Sequence, residues 1–186
     1  MTVRDTLLDK GLVGPRTTLG TDLAAAEADI QTIEAAYNKV VDGLLNGCFG
    51  SAGLAEGTNA NTFKTVNDVY YTIAGVMYKK AATDNIAMTA AAQQADATKC
   101  IYLVEIDANG TVSTQKGTEV AAAATATPPS RSASKAVLGW IQVVNSGGTF
   151  TAGSTDLGAG TVTDTYVNLG FFTTSGHANE VASISV

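Results

Sequence analysis

The stretch "EIDANGTVSTQK" places Glu105, Asp107, Asn109 and Gly110 at the first, third, fifth and sixth positions of a calcium-binding loop. The twelfth position must bring a bidentate carboxylate, and here it is Lys116, whose ammonium would stand where the cation's main ligand belongs. The alternating pattern before it also suits a strand and not a helix, so the stretch reads as a hairpin. A second candidate, "NSGGTFTAGSTDLGAG" (Asn145 to Gly160), spaces Gly153 and Gly158 as in a phosphate loop, but Ala159 and Gly160 occupy the places of the lysine and the hydroxyl residue. Gly158 and Gly160 are not joined by a third glycine at position 163, which is Thr163, and no helix pattern follows to present its N-terminus to an anion. These glycines read as chain corners.

Acid–base chemistry has little more to work with. A glycosidase would need paired carboxylates; Asp156 and Asp164 are the plausible pair, and both suit turn and strand-end positions better. The single histidine, His177, lies in "TSGHANE" and reads as a solvated tail residue. There is no G-x-S-x-G segment and no cysteine cluster. Cys48 and Cys100 lack metal-ligand spacing and read as small buried apolar residues. Asn109-Gly110-Thr111 fits a glycosylation sequon but is better read as a turn. The expectation is a protein with no catalytic, metal-binding or cofactor-binding residue, and not an enzyme.

Composition narrows the remaining classes. A chain of 186 residues with 45% apolar and 15% charged side chains can bury one sizeable core. Aromatics are only 6%, so that core must be built largely from small side chains. A net charge of −6 disfavours nucleic acid and anionic lipid and favours neutral or basic partner surfaces. The N-terminal "MTVRDTLLDKGLVG" carries acids among its apolar residues instead of a signal-peptide run, and no segment has the length and apolarity of a membrane span, so synthesis in the cytoplasm is expected.

The elements follow from periodicity. Residues 1–20 read as an extended arm broken by Gly11, Gly14 and Pro15; 21–47 as a helix; 48–65 as a linker; 66–173 as a β domain; and 174–186 as a tail. Within the β domain "DVYYTIAGVMYKK" alternates as a strand with a kink at Gly75, and "AATDNIAMTAAAQQADATK" fits either a helix or a strand and loop. "CIYLVEIDANGTVSTQKG" is a hairpin turned at Asn109-Gly110, and "KAVLGWIQVV" is a further strand. Between them, "EVAAAATATPPSRSAS" is an exposed crossing loop. The fold class is mainly β, a small antiparallel sandwich or barrel-like domain preceded by an arm and one amphipathic helix.

That helix has a pattern of its own. Leu23, Ile30, Tyr37 and Leu44 recur every seventh residue, with Ala26, Ile33 and Val40 between them, an a/d heptad seam. Two readings stay open: one amphipathic helix lying on its own β domain, or an oligomer seam joining identical helices in a short bundle.

The segment from about Tyr71 to Leu157, and within it Lys135 to Val143 ("KAVLGWIQV") followed by Thr149 to Leu157 ("TFTAGSTDL"), resembles a β domain of tailed-bacteriophage virion structural proteins, the head decoration (capsid cement) and head-fibre type proteins. Pro128-Pro129 and Ser130 to Ser134 depart from that pattern in the loop before it. The resemblance implies a non-enzymatic protein of the capsid surface that stabilises the shell by binding the major capsid protein and neighbouring copies, as a homotrimer that suits the local symmetry of capsids; the charge makes nucleic acid and membrane unexpected as partners. A tail or fibre component for host-surface attachment is the alternative it leaves.

Overall fold

A computed structural model describes residues 16–170, which fall into two units, one ending at Gly43 and one beginning at Leu44. The fold is mainly β and antiparallel. His177 and the rest of the tail lie outside the described residues, as does the arm up to Pro15.

The first unit contains the helix α1, which runs Arg16–Leu45 and ends just inside the second unit. It starts within the span expected to be an extended arm, so Gly20, the expected end of the arm, and Thr21, the expected start of the helix, are helix interior. One glycine costs only about 1 kcal/mol against alanine in a helix, too little to halt one that continues on both sides. The stop at Asn46-Gly47 is where the sequence indicates it.

Among its described residues the second unit holds ten strands: β1 Leu54–Glu56, β2 Thr62–Thr65, β3 Val69–Ile73, β4 Val76–Lys80, β5 Thr83–Ala87, β6 Thr98–Ile106, β7 Val112–Lys116, β8 Val120–Ala121, β9 Ala136–Asn145 and β10 Val162–Asn168. The main sheet runs β10-β9-β6-β7, with β8 added beside the start of β6. A three-stranded sheet β1-β2-β5 and the hairpin β3-β4 complete it. One apolar cluster joins all three through Leu54, Phe63, Val69, Tyr71, Tyr102 and Ile141, a sandwich-like arrangement.

Two expected boundaries move. The span 48–65 is not a linker, because β1 and β2 lie inside it and Leu54 and Phe63 are core residues. Its strands are three and four residues long, too short for alternation to register above the glycine and asparagine around them. The segment read as one kinked strand is the hairpin β3–β4, turned at Ala74 (φ 51°) and Gly75 (φ 78°), the paired positive angles of a tight two-residue turn. The ambiguous alanine-rich stretch resolves as strand β5 followed by irregular chain.

The β6–β7 hairpin forms as its sequence indicates. Its last pair is Ile106↔Val112, and the intervening turn closes with Gly110 N–H donating to Asp107 O at 3.0 Å and Gly110 at φ 77°. Ser146–Gly148 reverses the chain after β9, and the strand that pairs along β9 on that side is β10. Phe150 enters the core, bridged to Gln94 through both backbone hydrogen bonds.

Gly139 is where this sheet most needs glycine. It lies in mid-β9 at φ 153°, and a Cβ there would meet Val167 O of β10 at 2.1 Å and Leu54 Cδ1 of β1 at 2.8 Å. Gly139→Ala must therefore push β10 off β9. We expect it to lower stability by roughly 3 kcal/mol, read as a fall in the thermal or urea midpoint, and an unchanged midpoint would show that the two strands can separate freely.

Candidate interaction surface

The seam residues Leu23, Ala26, Ile30, Ile33, Tyr37, Val40 and Leu44 are all exposed, Ile33 at 68% and Tyr37 at 67%. Apolar groups on a 3.5-residue repeat thus face solvent along the helix, at the spacing that another helix can fill.

The end of the seam is held by polar contacts in the β unit. The last carbonyls of a helix have no partner within it. Here the Thr72 hydroxyl donates to Leu44 O at 3.0 Å, Gly75 N–H donates to Leu45 O at 2.9 Å, and Ala74 N–H donates to the Asn46 side-chain oxygen at 2.9 Å. Thr72 N–H also reaches Gly47 O at 2.8 Å. The β3–β4 hairpin therefore caps α1. At its tip Val76 and Met77 are exposed, as is Leu45, whose side chain adjoins Gly75. Sequence reading missed this hairpin tip because Ala74-Gly75 lacks the asparagine or aspartate that signals such turns.

The chemical candidates are placed as follows. Glu105 is 1% exposed and accepts from Ser132 N–H at 2.6 Å and the Ser132 hydroxyl at 2.7 Å, with Lys135 Nζ at 3.6 Å. The loop before β9, though largely exposed, is thus pinned onto the sheet at Ser132. Asp107 accepts from Asn109 and Thr111 N–H within its own turn, and Lys116 pairs with Glu119 and donates to Ala92 O and Gln93 O. Each of these side chains is engaged in holding a loop. Cys48 and Cys100 are buried free thiols whose pKa values burial pushes up. Among the described residues no three histidine, cysteine, aspartate or glutamate side chains gather as a metal site.

Asp156 is exposed, while Asp164 lies near a different acid, Glu56 of β1. A Cβ on Gly158 would be 3.7 Å from Asp164 Oδ1 and 3.8 Å from both Glu56 carboxylate oxygens. The Tyr166 hydroxyl is beside Asp164 without the geometry of a hydrogen bond. This juxtaposition had no signal in the sequence, since Glu56 falls in the span read as a linker.

No family model, curated protein or solved structure matches this chain.

Two phenols sense their burial. Tyr102 and Tyr166 have pKa values raised far above the usual 10.0, first by desolvation, then by Cys100 and Glu119 around Tyr102 and by Asp164 and Glu56 around Tyr166. A raised native value means that these neutral phenols contribute stability in full below the unfolded value near 10 and lose it as pH climbs beyond. In an alkaline titration their phenolate absorbance should appear only together with the unfolding seen by circular dichroism. Complete phenolate formation with unchanged dichroism would show that neither site is closed.

Proposed function

We propose that this chain is a non-enzymatic virion structural protein that decorates and stabilises a tailed-phage capsid. The observation that carries the reading is an exposed heptad seam on a helix capped by a β domain in which Glu105, Asp107 and Lys116 are occupied in holding its own loops. A protein made this way acts by attachment: the helix grips a neighbour and the β domain is what it displays. The resemblance of Lys135 to Val143 and Thr149 to Leu157 to head decoration proteins supplies the particle, and the major capsid protein is then the surface gripped. Copies seated around a local three-fold axis would meet one another as trimers on the shell. Many modest contacts of that kind add to durable adhesion.

The test uses particles that lack the protein. Adding the purified chain should restore resistance to heat and low salt, and the double variant Ile33→Asp, Val40→Asp should fail to bind while its β domain melts as in the parent. A loss of bound protein of at least about tenfold is expected for two charges placed in an apolar seam. Particles that stay intact and infectious without the protein under those conditions would overturn the capsid-stabilising role; lost adsorption with intact heads would assign it to host attachment.

A further inference from the structure

The residues flanking the seam say which neighbour it fits. With Leu23 at position a, Asp22 and Asp29 fall at g and Glu27 and Glu34 at e, and all four are exposed. The first two heptads therefore carry an acidic rim on both sides and no basic residue at either flank. In the last heptad the flanks are Ala36, Val41 and Gly43, uncharged and small or apolar. The helix's other charges stand elsewhere: Lys39 at c, Asp42 at f, and Arg16 ahead of the seam.

A second copy of this chain meets that rim badly. Parallel helices would set Asp22 against Glu27 and Asp29 against Glu34 of the neighbour, and antiparallel helices in full overlap would set Glu34 against Glu34 and the other three acids against uncharged flanks, so in neither orientation does a second copy offer the rim a basic partner. The net charge of −6 adds to the repulsion. The 3.5-residue repeat nevertheless calls for a helix as occupant, since a strand or flat surface does not follow that period.

We propose that the seam is a docking site for an amphipathic helix of another protein, apolar at a and d with lysine or arginine at e and g. Its apolar end lies against Tyr37, Val40 and Leu44, the part of the seam whose flanks are uncharged. This rests on the reading that the helix is the chain's means of attachment, but not on the identity of the particle.

The full chain is titrated with two synthetic helical peptides that share leucine and isoleucine at a and d. One carries lysine at e and g and the other glutamate, and binding is followed by calorimetry at low and high salt. The lysine peptide should bind about tenfold tighter at low salt, as four favourable pairs in place of four repulsive ones allow, and the gap should close as salt rises. The chain alone should sediment as a monomer at low salt. The double variant Glu27→Lys, Glu34→Lys, which leaves every seam residue in place, should lose the preference for the lysine peptide. A stable oligomer that ignores both peptides, equal binding of the two, or binding of neither overturns the inference. Failure to bind shells with the peptide preference intact counts against the capsid reading alone; shell binding with no peptide preference counts against this inference alone.

Discussion

Strand β6 is buried on both faces, and the second unit is organised around that requirement. Cys100, Tyr102, Val104 and Ile106 point into the shared core, while Ile101, Leu103 and Glu105 on the opposite face are buried as well. A strand in this position needs cover on two sides, and a chain with so few aromatics cannot supply all of it with bulky side chains. On one side Tyr102 meets Phe150 edge to face, with ring centres 5.9 Å apart. On the other, the loop before β9 comes over Glu105 and is fixed there by the two hydrogen bonds from Ser132. A buried carboxylate is costly unless its oxygens are satisfied, so Glu105 specifies where that loop must lie.

The same economy recurs wherever irregular chain crosses the core. Gln94 is fully buried, yet its side-chain amide donates to Thr98 O and Val143 O at 3.1 Å, and its oxygen accepts from the Tyr102 hydroxyl at 3.2 Å. Asn145 donates to Ala95 O and Gly148 O at 3.0 Å. Tyr71 stacks on Tyr78 in the β3–β4 hairpin and sends its hydroxyl to Asp107 O in the β6–β7 turn. Thr72, its neighbour, caps the helix. One hairpin thus touches the main sheet through one residue and the end of α1 through the next, because successive side chains on a strand point to opposite faces.

How much of this the sequence discloses depends on whether the signal is local. The helix, the β6–β7 hairpin and the mainly β class were legible because each rests on periodicity or on a turn residue within a few positions. The glycine-rich corner after β9 read correctly as turns for the same reason: a phosphate loop demands a lysine at a fixed offset, and its absence is visible. What stayed hidden depends on pairs distant in the chain. Glu56 and Asp164 flank the same point near Gly158, Ser132 bonds to Glu105, and Phe150 bonds to Gln94, at separations that spacing rules do not reach. Short strands such as β1 and β2 also escaped, since Leu54 and Phe63 owe their burial to the sheets that close over them and not to their own neighbours.

The two units follow opposite rules for apolar surface. In the β unit even threonines and a glutamine are drawn inside and given partners, whereas the helix leaves isoleucine, valine and tyrosine facing water on a regular repeat. An isolated helix gains little from its own hydrogen bonds, and most helical stability in proteins comes from packing of the apolar face. A chain that caps the last residues of such a helix with backbone and side-chain contacts, while leaving its seam exposed, has left the stabilisation of that seam to something else. The acidic rim then restricts what that something can be, since the charges that border the seam weaken the symmetrical solution that the heptad alone would favour.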